Sequence, residues 1–171
     1  MVRRKQLALL AGLGLAALAW PLVETHPLRI VYNASDSVPR GWYRIVPAHA
    51  LHVGSIVLVQ LLADIATLAA QRGYLPERVP LLKRIAALPP QQVCVAQQLV
   101  SIDGVAVATA LAADSQGLRL PTWQQCRPLR DGELYLLGTT HPASFDSRYF
   151  GPLPATAVLG LAQPVWIGNT S

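Results

Sequence analysis

Lysine is nearly absent from this 171-residue chain: Lys5 and Lys83 stand against twelve arginines. A guanidinium stays charged at any working pH, whereas an amine can shed its proton when desolvated. One lysine far from the N-terminus is therefore either a compositional survivor or a group kept for its chemistry, and its neighbours must decide. Clustered positive charge is also missing. The net charge is +5, but Arg3, Arg4 and Lys5 supply three of those charges, and from Glu24 onward 11 basic residues face 9 acidic ones with no basic run. This excludes a nucleic-acid surface, which needs clustered cations. Cysteine is limited to Cys94 and Cys126, with no Cys-x-x-Cys. His26, His49, His52 and His141 show no zinc-ligand spacing and read as surface or loop residues, so neither a metal nor any other cofactor is expected. Internal repeats and low-complexity tracts are lacking as well.

What is abundant is apolar sequence, 52% of the chain. Residues 7–23 carry no charge, follow Arg3-Arg4-Lys5, and have Trp20 and Pro21 near their far end. That length is at the short limit for crossing a bilayer. The preceding cations predict a cytoplasmic N-terminus, an exported remainder and Trp20 at the outer interface. Ala17-Leu18-Ala19 also fits the small-x-small site of a cleaved leader; length and the interfacial Trp favour a retained anchor. The expected organisation is an anchor in residues 1–23 and one exported domain in residues 24–171. In an oxidising compartment Cys94 and Cys126 most often pair, which would stabilise the fold by about 3 kcal/mol in the chain-entropy model.

Beyond the anchor, short strand-like segments predominate: 28–33, 41–46, 55–61, 81–88, 93–96, 99–102, 105–108, 133–137 and 157–167. Asp103-Gly104 is a type I′ hairpin signal. Residues 62–73 form the one clear helix candidate, with Ile65, Leu68 and Ala69 on one face and Gly73 as its cap. Residues 110–130 read as a loop. The pattern predicts a mainly antiparallel β fold, barrel-like or sandwich-like, with one N-terminal transmembrane helix and one short helix.

Three clusters could carry chemistry. Ser37 precedes Val38-Pro39 at the end of a strand, a place where a hydroxyl can be held on a rigid backbone, although Ser, Asp, Pro and Gly also make ordinary turns. Lys83 lies within the apolar run Leu81-Leu82-Lys83-Arg84-Ile85. Pointing inward, its amine would lose charge and could take a proton from a serine; on an edge strand it would reach solvent instead. Asp146 and Arg148 are two apart, beside Ser144 and Ser147, so on a strand they would share a face and could pair; the other reading, favoured for most of this cluster, is a structural turn with a salt bridge that acts as scaffold.

Taken together, these clusters resemble the type I signal peptidases. The order is a serine, then Lys-Arg in an apolar strand ending in Pro, then Ser144-Phe145-Asp146-Ser147-Arg148-Tyr149-Phe150-Gly151, with Gly138 six residues before Ser144. Within that family the chain is most similar to the conjugative-transfer branch, TraF type, whose nucleophile motif runs Asn-x-Ser/Thr-x-Ser-x-Pro-x-Gly-x-Tyr. Here it reads Asn33-Ala34-Ser35-Asp36-Ser37-Val38-Pro39-Arg40-Gly41-Trp42-Tyr43. Ordinary signal peptidases carry Ser-Met-x-Pro instead. The resemblance implies Ser37 as nucleophile and Lys83 as general base. It also implies the Ser37 N–H and Ser35 hydroxyl as oxyanion donors, Ser144 to aim the amine, and Asp146 and Arg148 as support. The last box departs from the family's Gly-Asp-Asn, reading Gly138-Thr139-Thr140.

What the resemblance implies for function is a membrane-anchored Ser-Lys endopeptidase in the bacterial inner membrane, its catalytic domain periplasmic. The expected partners are the lipid bilayer and a membrane-bound prepilin or other exported protein, cleaved after small residues in a shallow groove. Some members of the branch let an amine resolve the acyl-enzyme in place of water and close a cyclic pilin; hydrolysis and cyclisation are both open for this sequence. The alternatives are a housekeeping signal peptidase and a non-catalytic anchored β-domain of a transfer or secretion apparatus.

Overall fold

β-Branched and leucine-rich runs of four to seven residues, broken by Pro, Gly and Asp-Gly, have nowhere to bury both faces except between packed sheets. The computed structural model describes residues 29–168 and shows this arrangement. The strands are β1 (Arg29–Asn33), β2 (Gly41–Val46), β3 (Ile56–Val59), β4 (Leu81–Ala87), β5 (Gln92–Ala96), β6 (Leu99–Ile102), β7 (Val105–Thr109), β8 (Cys126–Pro128), β9 (Glu133–Leu137), β10 (Leu153–Pro154) and β11 (Val158–Ile167). The helices are α1 (Ala63–Gln71) and α2 (Ser147–Phe150). One sheet runs β1-β2-β11-β3-β4-β9-β10 and a second runs β7-β6-β5-β8. The pairings are antiparallel throughout. The expected anchor in residues 1–23 lies outside the described residues; among those described, no helix is long and apolar enough to cross a membrane.

The middle of the large sheet is buried on both faces. Val57 and Val59 of β3 pack with Ile85 of β4, Leu134 and Leu136 of β9, and Ile65, Ala66 and Ala69 of α1. Leu58 and Leu82 point the other way, toward Val38, Tyr43, Ile45 and Ala162. Period-two alternation therefore puts Lys83 on the same side of β4 as Leu81 and Ile85. It sits opposite the fully buried Val57.

The expected helix forms, with Gly73 in the left-handed region at φ +70° just past its end and the Tyr74 N–H closing back on the Ala69 carbonyl. Asp103 and Gly104 both take positive φ between β6 and β7, as a type I′ turn requires. Cys94 and Cys126 are bonded, joining β5 to β8 at directly opposed positions.

Two expectations need correction, the helix count and the loop at 110–130. A second helix exists, so the count of one short helix is too low. Asp146 and Arg148 lie where a turn leads into α2 and pair there, the turn reading of this cluster rather than the strand one. Asp146 caps α2, its carboxylate accepting the Arg148 N–H, and this local bond competes successfully with extended structure. The segment 110–130, read as a loop, contains β8, which is held by the disulfide and by pairing with β5.

Candidate active site

The turn between β1 and β2 is built around Asn33. Its Nδ2 donates to the carbonyls of Ser35 (2.9 Å), Val38 (2.9 Å) and Pro39 (3.2 Å), and its Oδ1 accepts the Ser35 N–H and the Ser35 hydroxyl (2.8 Å). The Tyr43 hydroxyl donates to the Pro39 carbonyl at 2.6 Å. Val38 is driven fully into the core, which pins the backbone beside Ser37. At Gly41 a Cβ would fall 2.1 Å from the Trp166 carbonyl oxygen, so only glycine lets β2 leave the turn against β11. Asn33, Tyr43 and Gly41 are thus motif residues with structural duties. The motif signalled all three, but reading it for nucleophile and oxyanion donors alone left them without a role.

Ser37 and Lys83, 46 residues apart, meet at the end of this turn: Lys83 Nζ lies 2.6 Å from Ser37 Oγ. The lysine is 1% exposed and Ser37 9% exposed. Burial pulls the Lys83 amine down to about 8; the Asp146 carboxylate opposes that shift and the Arg148 guanidinium adds to it. A desolvated amine with this proton affinity and a hydroxyl in bonding reach can exchange a proton with it near neutral pH.

Ser144 completes the constellation. Its Oγ is 2.5 Å from Lys83 Nζ and 2.9 Å from Ser37 Oγ. It packs so closely on Gly138 that a Cβ there would stand 2.3 Å from Ser144 Oγ and 2.4 Å from Ser144 Cβ. Behind it, Asp146 and Arg148 form a buried bidentate pair (Nε–Oδ1 and Nη2–Oδ2, both 2.8 Å). The remaining guanidinium donors reach the carbonyls of Thr109 (3.1 Å), Pro142 (2.5 Å) and Ser144 (2.9 Å). Asp146 also accepts the Gly138 N–H at 2.7 Å. Every donor position of the fork is used, which lets a charge this deep be retained. The pairing expected from the sequence is present, reached through a helix cap.

Thr139 and Thr140 tie this loop to the nucleophile turn. The Thr139 N–H donates to the Ser37 carbonyl at 2.7 Å, and the Thr140 hydroxyl donates to the Asp36 carbonyl. The departure from Gly-Asp-Asn therefore still supplies a link between the two segments. Ser35 lies in the site, but its hydroxyl donates to Asn33; serving an oxyanion requires rotation about χ1. His141 is exposed, as a surface residue should be, yet its ring borders the space beside Ser37. Nothing in its spacing could have signalled that. Among the described residues no group of three or more His, Cys, Asp or Glu side chains converges in a way that could hold a metal.

A groove of about 590 Å³ opens beside the Ser37–Lys83 pair. Its apolar walls include Leu61, Leu75, Leu81, Leu111, Leu120 and Phe145. The far wall is strapped down where Arg72 bonds the Arg119 carbonyl at 2.7 Å and the Tyr74 hydroxyl bonds Asp114. This volume lies within the range of pockets that enclose whole ligands. β1 pairs only with β2 among the described strands, and residues 81–83 of β4 pair only with β3. Each therefore leaves one backbone edge free.

Comparison with known proteins places this geometry among relatives. Residues 3–167 match the family model described as signal peptidase, peptidase S26. The chain is 40% identical over 103 residues to the conjugal transfer protein TraF of Agrobacterium fabrum, covering 56% of this chain and 57% of that protein. It is 33% identical over 141 residues to a probable conjugal transfer protein TraF of Sinorhizobium fredii, covering 78% and 74%. Among solved structures, a signal peptidase I from Enterococcus faecalis aligns with TM-score 0.40 and 20% identity, over 66% of this chain and 96% of that one.

Proposed function

The chain belongs to the signal peptidase family, peptidase S26, in its conjugal-transfer TraF type, and we propose that it is a membrane-anchored serine endopeptidase that matures an exported protein of conjugative transfer, a prepilin above all. The observation that carries this reading is the Lys83 amine, almost solvent-free and 2.6 Å from Ser37 Oγ. At a pKa of about 8, roughly one amine in ten is neutral at pH 7, against roughly one in several thousand for an unperturbed lysine.

In the acylation step the neutral Nζ takes the Ser37 proton as Oγ attacks the scissile carbonyl. The ammonium then gives that proton to the departing amine. Ser144 holds Nζ on line, and Asp146 and Arg148 hold Ser144. The Ser37 N–H and a rotated Ser35 hydroxyl are aimed at the developing oxyanion. The acyl portion of the substrate lies in the apolar groove, where the free edges of β1 and β4 offer it backbone hydrogen bonds.

We place the apolar segment 7–23 in the inner membrane, with the N-terminus cytoplasmic and the catalytic domain periplasmic. Supporting this, Ile30, Tyr32, Trp42 and Trp166 are large exposed apolar side chains on β1, β2 and β11, and β1 begins six residues after Val23. Aromatic rings of this kind favour the bilayer interface. The disulfide suits an oxidising compartment.

The test is processing of the candidate prepilin in cells carrying Ser37→Ala, Lys83→Ala or Lys83→Arg at unchanged protein level. All three should leave the precursor uncut, the arginine variant as fully as the alanine one, because a guanidinium does not serve as a base. Substantial cleavage by Lys83→Arg would remove Lys83 from its role, and cleavage by Ser37→Ala would favour the non-catalytic reading.

A further inference from the structure

Ser37 borders two spaces, and His141 lines both. The apolar groove reaches it past Ser35 and Lys83. An adjoining recess of about 160 Å³ is bounded by Asp36, Ser37, His141 and Ser144. A serine peptidase needs two such spaces: the acyl group stays in one, and a second nucleophile must enter where the amine departed.

The recess is built on a fixed loop, tied by Thr139 to the Ser37 carbonyl, by Thr140 to the Asp36 carbonyl, and by Arg148 to the carbonyls of Pro142 and Ser144. Within it, His141 Nδ1 accepts the Ala143 N–H at 3.1 Å. In the neutral ring that bond puts the proton on Nε2, so Nε2–H is the polar ring atom left to offer the recess. Asp36, the other ionisable group there, has both carboxylate oxygens taken by Arg40, at 2.6 and 2.7 Å.

We propose that this recess receives the water that resolves the acyl-enzyme, and that His141 is the residue that positions it; this rests on Ser37 being the nucleophile. A water oxygen has two lone pairs. One accepts the Nε2–H while the other faces the acyl carbon. An amine has a single lone pair and cannot do both. Ser144 stands where the proton must pass, 2.5 Å from Nζ and 2.9 Å from Ser37 Oγ. As water adds to the ester carbonyl, its proton moves to Ser144 Oγ while the Ser144 proton moves to Nζ. The bond from the acyl carbon to Ser37 Oγ then breaks and Nζ returns a proton to Ser37 Oγ. The products are the free carboxylic acid, the serine hydroxyl and the neutral amine.

The experiment uses the full chain in detergent with p-nitrophenyl butyrate. The initial burst of p-nitrophenol reads acylation and the steady rate reads deacylation. Added hydroxylamine competes with water, and the ratio of butyryl hydroxamate to butyric acid is read by mass spectrometry. His141→Ala should keep the burst rate within about twofold while the steady rate falls roughly tenfold. Enzyme heavier by one butyryl group should accumulate, and the hydroxamate-to-acid ratio should rise. His141→Asn, which retains an N–H donor, should recover part of the steady rate. An unchanged steady rate and product ratio in His141→Ala overturns the proposal, as does an equal fall of burst and steady rate. If Ser37→Ala keeps the burst, or the wild type shows no acylation, the nucleophile reading falls and the water site with it. If Ser37→Ala abolishes the burst and His141→Ala behaves as wild type, only the water site falls.

Discussion

Gly138→Ala tests whether the site depends on the contact between Gly138 and Ser144. The added methyl would stand 2.4 Å from Ser144 Cβ, 2.3 Å from its Oγ and 3.4 Å from the Ser37 carbonyl oxygen. Comfortable carbon contacts are about 3.5–4.0 Å, so Ser144 must retreat by roughly 1 Å. Its Oγ is then out of reach of Nζ, from which it is now 2.5 Å. Misplacement of that size costs on the order of 10²-fold in rate, and the overpacking costs about 1–3 kcal/mol of stability. The assay is turnover alongside a urea melt, in Gly138→Ala, in Ser144→Gly and in the double variant. Ser144→Gly removes both clashing atoms, so the double variant should regain most of the stability lost by Gly138→Ala. Its activity should stay at the low level of Ser144→Gly. Wild-type turnover in Gly138→Ala would refute the reasoning, as would a stability loss that Ser144→Gly leaves untouched.

Three further predictions concern the same cluster. Activity follows the unprotonated Lys83 amine, so it should rise with pH through about 8, falling roughly tenfold per unit below that; a turnover profile flat from pH 5 to about 9 contradicts this. Because the folded-state value lies below the unfolded one, the unfolded chain binds more protons between about 8 and 10.5, and native stability rises with pH across that window. Lys83→Met should therefore be more stable than wild type at pH 7, by on the order of 3 kcal/mol, with the advantage shrinking as pH approaches about 10.5; equal urea midpoints at both pH values would argue against a strained amine. Ser35→Ala should lose perhaps 10²-fold in turnover with little change in substrate affinity if its hydroxyl turns toward the oxyanion, and an unchanged rate would leave it as a partner of Asn33 only.

The parts of the site that were legible in the sequence follow short-range rules. Leu81, Lys83 and Ile85 alternate on one strand, so a buried face for two of them implied one for the third. Ser37 was marked by the rigid Val38-Pro39 beyond it. What stayed hidden depends on contacts between distant segments. The glycine at 138 answers to Ser144, and the one at 41 answers to the backbone of Trp166. A turn with a salt bridge was expected around Asp146, but not that it caps a helix, because a two-residue spacing fits an open turn and a capped one alike. The size of the groove depends on residues 110–125 being strapped to the turn after α1 by Arg72 and Tyr74, pairings across 47 and 40 positions in the chain. His141 gave no signal, since an exposed loop histidine is the commonest kind.

The arrangement also explains why such a site tolerates a buried amine. Lys83 sits opposite the fully buried Val57 with almost no exposure of its own, so the charged form is disfavoured by the surroundings that make the neutral form useful. Asp146 could undo that by attracting the ammonium. It is held in check by Arg148, which takes both of its oxygens in one rigid fork and spends its other donors on carbonyls of the same loop. The pair thus acts on Lys83 as a nearly neutral object, close enough to fix Ser144 and compensated enough to leave the amine free to lose its proton. A lysine at 148 would keep the formal charge but lose the fork, releasing the Asp146 field onto Nζ and the loop from its carbonyl anchors together.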